Sequence, residues 1–385
     1  MTSNNFAGVK PATAVKNSAQ PYRVMLVDDS AVIRGKLTQW LNADPNFSVV
    51  GSYCNGLQAV QNVKSCGAEI VILDIEMPQM DGLTALPKLL AAVPRLRVIM
   101  ASTLTRRNAD VSLKALSMGA VDYLPKPESA KAGTGTEDFH RELIAKLRAI
   151  GAGLRRQAAD RNLQAATGGA RTGVAQVKPS SQRPVMRARS LVRPRVLAIG
   201  SSTGGPQALF KVLGGIGKNE LMVPVIVTQH MPPTFTAILA EHIQNMTGLP
   251  ASEAKNGERL QPGHVYVAPG DYHMTVEDRG DGIVLALNQG PQVNFCRPAV
   301  DPMFESVATV FGAAALCLVL TGMGHDGREG GKKVVAAGGT VIAQDEATSV
   351  VWEMPGAAAE AGICAAVLPL PEIASTLQRY FRGAP

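Results

Sequence analysis

At 385 residues the chain has room for two or three domains, each able to bury a core, and 46% hydrophobic with 18% charged residues is a globular composition. No apolar run approaches the ~20 residues that span a bilayer. The five scattered cysteines (Cys54, Cys66, Cys296, Cys317, Cys364) include no C-x-x-C, which argues against a disulfide framework or structural zinc and predicts a reduced, cytoplasmic setting. The formal charge of +7 is local: residues 151–195 carry ten basic residues against Asp160 alone, which leaves a remainder of about −2 and argues against a nucleic-acid-binding face. That basic stretch, rich in Ala, Gly, Gln and Ser, reads as a linker without a core. Residues 1–20, polar and without the apolar segment of a secretory signal, read as a disordered lead-in.

From Arg23 strand and helix signals alternate five times. Val24–Val27 ends in Asp28-Asp29-Ser30, where Ser30 can cap a helix carrying Val32, Ile33, Leu37, Trp40 and Leu41 at helical spacing. Val49–Gly51 is a weaker strand, and Ile70–Leu73 ends in Asp74. Val98–Ala101 leads to Ser102, and Asp122–Leu124 leads to Lys126. Such alternation predicts an open, doubly wound parallel sheet with its ligands at the carboxyl strand ends. Asp28, Asp29 and Asp74 would converge there around a cation, and Mg²⁺ suits an all-oxygen set that must leave room for a phosphoryl group. One carboxylate can then attack phosphorus, with Ser102 and Lys126 on the phosphoryl oxygens. Pro87 would break a helix beginning at Leu83, so a start near Leu86 is expected. Residues 137–150 read as one more amphipathic helix.

This half, in Val27-Asp28-Asp29-Ser30, in Leu73-Asp74-Ile75-Glu76-Met77-Pro78 and in Lys126-Pro127, resembles the receiver domain of two-component response regulators, with a flavodoxin-like fold. The resemblance implies phosphorylation of Asp74 by a histidine kinase and Mg²⁺ held by Asp29, Asp74 and the Glu76 carbonyl. It also implies a cis Lys126–Pro127 bond.

A second α/β pattern starts at Arg195, with strands expected at Val196–Ile199, Val225–Thr228, Val265–Ala268, Leu316–Leu320 and Thr340–Ala343. The first runs into Gly200-Ser201-Ser202-Thr203-Gly204, a G-x-S-x-G elbow that would lift the Ser202 hydroxyl above the sheet, with a helix following from about Gln207. The same turn could merely cradle a phosphate. A serine nucleophile needs a base and an orienting carboxylate. His230, directly after a strand, is favoured over His325, whose loop Thr321–Gly327 also carries Asp326.

Ile199–Gly205, Gln229-His230-Met231-Pro232, Val267–Gly270, Thr321–Gly327 and Gln344–Ser349 resemble the catalytic domain of the CheB-type protein-glutamate methylesterases. The resemblance assigns Ser202 as nucleophile, His230 as base and Asp326 as orienter, with Thr203 and Met323 beside the site and the Met323 backbone a candidate oxyanion donor. Two departures stand out: Ser201 where alanine is usual, and Cys296 where histidine is expected. The expected organisation is a receiver over 21–140, a helix end and flexible basic linker over 141–193, and an α/β methylesterase domain with a mainly parallel sheet over 194–385. The implied protein is a cytoplasmic esterase activated through Asp74 that demethylates glutamate γ-methyl esters, and deamidates glutamines, on chemoreceptor cytoplasmic domains. Mg²⁺ serves only the receiver in this reading, and neither nucleic acid nor membrane insertion enters. A DNA-binding regulator would need a helix-turn-helix, which the second half lacks. A noncatalytic phosphate-binding module would leave His230 and Asp326 unexplained.

Overall fold

Short apolar runs punctuated by capped amphipathic segments set the element order. The computed structural model describes residues 20–103, 105–126, 134–167 and 186–383. The first half comprises β1 (Tyr22–Val27), α1 (Ala31–Ala43), β2 (Phe47–Tyr53), α2 (Gly56–Cys66), β3 (Ile70–Asp74), α3 (Gly82–Ala92), β4 (Arg97–Ser102), α4 (Arg106–Ser117), β5 (Asp122–Pro125) and α5 (Thr134–Thr167). The strands form a parallel sheet in the order β2-β1-β3-β4-β5. Its first four helices each begin at a local side-chain cap. Ser30, Asn55, Asp81 and Thr105 accept the backbone N–H of Ile33, Gln58, Thr84 and Asn108.

The Asp81 cap corrects the expected start of α3. The helix begins at Gly82 with Pro87 in its interior. Pro87 is exposed while Ala85, Leu86 and Leu89 face the core, so the carbonyl it leaves unpaired lies on the solvent side.

The second half comprises β6 (Val196–Ser201), α6 (Gly205–Ile216), β7 (Val225–Gln229), α7 (Phe235–Thr247), β8 (Ala251–Glu253), β9 (Val265–Val267), β10 (His273–Asp278), β11 (Ile283–Asn288), α8 (Val300–Phe311), β12 (Ala315–Val319), α9 (Arg328–Ala336), β13 (Thr340–Gln344), α10 (Glu353–Glu360), β14 (Cys364–Leu368) and α11 (Leu370–Phe381). Seven strands make a parallel sheet in the order β14-β13-β12-β6-β7-β9-β8, while β10 and β11 pair as a separate antiparallel hairpin. From β6 the chain moves outward to β7 on one side and later returns to β12 on the other. The carboxyl end of β6 is therefore a topological switch point, where open α/β sheets present their ligands.

The reading of residues 151–195 as coreless linker needs correcting at its start. Helix α5 runs unbroken to Thr167, well past the expected end at residue 150. Its first half packs through Phe139, Leu143, Leu147 and Ile150, and just beyond them two glycines allow close approach. A side chain at Gly151 would meet the Tyr22 ring, and one at Gly153 would meet the Val350 carbonyl oxygen, so glycine lets the helix touch both halves closely. Residues 168–185 of the expected linker lie outside the described residues. One apolar core runs through both halves, joining Met25, Val71 and Leu113 of the first sheet region to Leu197, Leu213 and Phe235 of the second.

Candidate active site

Strands β12, β6 and β7 are neighbours, and each ends in a residue singled out from the sequence. Ser202 follows β6, His230 follows β7, and Asp326 lies in the loop after β12. Backbone bonds tie these ends together: Ser202 N–H donates to Thr321 O (3.1 Å), and His230 N–H donates to Ser201 O (3.1 Å). The turn itself needs its glycines. Gly204 has φ 77°, and a side chain on Gly205 would meet Gln229 Oε1 at 2.1 Å. Ser201 is buried and donates to Gln229 Oε1 (2.7 Å), while Gln229 Nε2 donates to Ser202 O (2.9 Å). The unexpected hydroxyl therefore braces the elbow from beneath.

His230 Nε2 lies 2.8 Å from Asp326 Oδ2, and both side chains are largely withdrawn from solvent. Its other nitrogen, Nδ1, faces the Cys296 thiol at 3.5 Å. The Ser202 hydroxyl makes no hydrogen bond among the described residues, and its distance to a base can close on substrate binding. Burial opposes an imidazolium at His230, but the bonds to Asp326 and Cys296 outweigh it and push the group up to about 10. The rival His325 is exposed. His242 pairs with Asp110 (2.9 Å), and His273 opens β10 and is buried.

Asp326 is saturated with donors. Oδ2 also accepts Val300 N–H (2.6 Å), and Oδ1 accepts Asp301 N–H (3.0 Å), Gly327 N–H (3.0 Å) and Asn294 Nδ2 (2.9 Å). The carboxylate thus sits on the N-terminus of α8, where the helix dipole favours negative charge. Burial works against its ionisation, yet the His230 and backbone bonds hold it below the usual carboxylate range. Neighbouring Asp301 moves the other way, raised by burial and by the charge of Asp326, although it accepts Gly330 N–H (2.7 Å) and Gly327 N–H (3.0 Å) through Oδ1. Asn294 Nδ2 bridges the two carboxylates. Sequence reasoning missed Asn294 and Asp301. The only available signal was their nearness to Cys296.

In the first half, Asp28, Asp29 and Asp74 place a carboxylate oxygen each within 4.8 Å of one another at the carboxyl ends of β1 and β3. Lys126 Nζ bridges Asp28 Oδ2 (2.6 Å) and Asp74 Oδ2 (2.7 Å). Burial raises Asp74 to about 6 despite Lys126. Three converging hard oxygen donors, one exposed at Asp29, fit a small divalent cation. Glu76 is exposed beside them, and Ser102 is buried with its hydroxyl 3.0 Å from that of Ser112. Pro127 lies outside the described residues, so the cis bond expected there does too.

The halves meet beside Ser202. Thr203 Oγ1 donates to Asp122 Oδ2 (2.8 Å), and that carboxylate also holds Lys146 Nζ (3.2 Å). Tyr123 stacks on Phe235 with ring centroids 4.3 Å apart. Helix α4 packs on α6 and α7, with Arg106–Glu241 and Asp110–His242 at the rim. Gln157 of α5 donates to the carbonyls of Ala347 (3.3 Å) and Ser349 (3.1 Å), and Met323 packs in the cluster built around Leu143, Leu147 and Ile150. Both residues expected to flank the nucleophile are therefore covered.

Comparison with known proteins gives matches to both halves. Residues 197–377 match the family model described as CheB methylesterase, and residues 24–134 match the response regulator receiver domain. A protein-glutamate methylesterase/protein-glutamine glutaminase of Nitrobacter hamburgensis is 52% identical over 98% of each chain. One of the same description from Paramagnetospirillum magneticum is 53% identical over 93% of this chain and 95% of its own. The crystal structure of the Thermotoga maritima CheB methylesterase catalytic domain is 39% identical, with a TM-score of 0.47, covering 49% of this chain and 99% of that one.

Proposed function

The chain belongs to the CheB methylesterase family, with a response-regulator receiver joined to the esterase domain, and on that premise we propose that Ser202, His230 and Asp326 are the triad by which it hydrolyses glutamate γ-methyl esters on chemoreceptor cytoplasmic domains. Asp326 fixes the proton on His230 Nε2, leaving Nδ1 to take the Ser202 proton as Oγ attacks the ester carbonyl. His230 then returns that proton to the departing methanol, and water hydrolyses the acyl-enzyme by the same route. Attack on a glutamine side chain releases ammonia and gives deamidation. In this reading the α6 N-terminus and the Met323 backbone supply the oxyanion donors, with Thr203 alongside. The observation that carries this reading is the 2.8 Å His230–Asp326 contact at the strand end beside the serine elbow.

The receiver's role follows from the same contacts. Asp122, Tyr123 and α5 cover Thr203 and Met323, so the unphosphorylated protein is held closed. Phosphorylation of Asp74 by a histidine kinase shifts the balance toward a released receiver, with Lys126 and Ser102 turning to the phosphoryl oxygens. Mg²⁺ bound by Asp28, Asp29, Asp74 and the Glu76 carbonyl would supply the charge neutralisation that phosphoryl transfer requires. The protein acts in the cytoplasm, and among the described residues no helix is long and apolar enough to cross a membrane.

Methanol release from methylated receptor tests both parts. Ser202→Ala is expected to fall to the residual level left by binding and oxyanion contacts, with its fold intact by circular dichroism. Asp74→Asn is expected to keep basal activity and lose stimulation by a small phosphodonor with Mg²⁺. Activity retained in Ser202→Ala removes the triad assignment, and stimulation retained in Asp74→Asn moves the phosphorylation site.

A further inference from the structure

The loop that carries Asn294 and Cys296 is a two-residue hairpin turn. Val293 N–H donates to Cys296 O (3.1 Å) and Cys296 N–H donates to Val293 O (2.9 Å). Both central residues have positive φ, 52° at Asn294 and 62° at Phe295. Turns of this kind favour asparagine followed by glycine, and a bulky aromatic in the second place is strained. The strain has no return inside the chain, for Phe295 is 95% exposed. Its neighbours are fixed on the catalytic groups, Asn294 through Nδ2 to Asp326 and Cys296 through Sγ to His230. The turn backbone is thus fixed with an aromatic side chain in solvent, one residue from the thiol that touches His230, in a conformation that glycine would adopt freely.

We infer that Phe295 is a specificity-determining residue, whose ring packs against the polypeptide segment bearing the esterified side chain and seats that segment beside His230. The inference rests on the methylesterase reading. Strained backbone clusters at functional sites, and large aromatic anchors carry much of the energy of protein recognition. The contact acts on a protein substrate and leaves Ser202 chemistry alone, which separates it from support of the triad.

The test uses full-length, phosphodonor-activated protein carrying Phe295→Ala or Phe295→Gly. The expected result is a fall of about tenfold in kcat/KM for methylated receptor, chiefly through KM. Ser202 labelling by a small alkyl fluorophosphonate should stay within twofold of wild type. Phe295→Gly should also melt at a higher temperature than wild type, since glycine relieves the positive φ, and Phe295→Trp should restore receptor activity. Unchanged receptor kinetics in both variants overturns the inference. So does a matching fall in receptor turnover and serine labelling, which would make the ring a prop for the triad. A wild-type protein that labels at Ser202 but releases no methanol removes the methylesterase reading, and the inference with it.

Discussion

The two halves of the molecule start their helices differently. In the receiver, α1 to α4 each begin at a side chain one turn away, so every N-terminus is satisfied by its own sequence. In the esterase, α6 to α9 begin at Gly204, Thr234, Ala299 and Gly327, none of which makes a side-chain cap. The α8 amides turn instead to Asp326, and those at the start of α9 turn to Asp301. The carboxylates differ again: burial raises Asp74 despite Lys126 and the Ile75 N–H, while Asp326, surrounded by donors, is held low. In the proposed mechanism the raised carboxylate attacks and the lowered one only orients.

The sharpest way to break this contrast is Asp326→Asn. An amide presents hydrogens where backbone N–H groups already point and no longer selects the productive imidazole tautomer. Methanol release should fall about 10⁴-fold in kcat, with a marked loss of stability. The wild-type pH profile provides a companion measurement. Because His230 is raised and must be neutral to accept the serine proton, the acid limb of kcat/KM should lie above the ordinary histidine value of about 6.5. A limb at or below that value would mean that Asp326 does not stabilise the imidazolium.

How much of this was legible in the sequence depends on the range of the contact. Strand ends mark Asp28, Asp29, Asp74, Ser202 and His230, because an apolar run that stops at a polar residue is a local pattern. Asp326 was readable through its loop motif. Asp301 and Asn294 were not, since their shared partner Asp326 and the α9 amides arrive from a loop and a helix start some 25 to 32 residues away, and no spacing records that approach. The same limit explains α5. Its second half looked too polar and too glycine-rich to pack, yet those glycines are what admit Tyr22 and Val350. Pro87 misled for the opposite reason, as the Asp81 cap starts α3 upstream and the proline faces solvent.

An intermediate effect is expected at Ser201→Ala. Removing the hydroxyl leaves Gln229 Oε1 buried without its donor, so thermal or urea unfolding should report a loss of about 1–3 kcal/mol. Esterase activity should fall only as far as the elbow loosens, far less than in Ser202→Ala. Unchanged stability would show that the Ser201–Gln229 bond is not what braces the turn. The smallest effect belongs to a local cap: Asp81→Ala should cost about 1 kcal/mol in receiver stability and leave basal methanol release untouched. A change in basal turnover there would mean that the two halves are coupled through α3 as well.

The unbroken course of α5 sets a mechanical condition on any opening. Its 34 residues make a rod about 51 Å long at 1.5 Å per residue. The rod is clamped to the receiver by Leu143 and Leu147 and to the esterase loop by Gln157. It works as a lever: the stretch from Leu147 to Gln157 is an arm of about 15 Å, so a receiver tilt of about 10° would carry Gln157 through roughly 3 Å. A small rotation of the receiver is thereby enough to part Gln157 from the 347–349 carbonyls before any contact beside Ser202 has to yield.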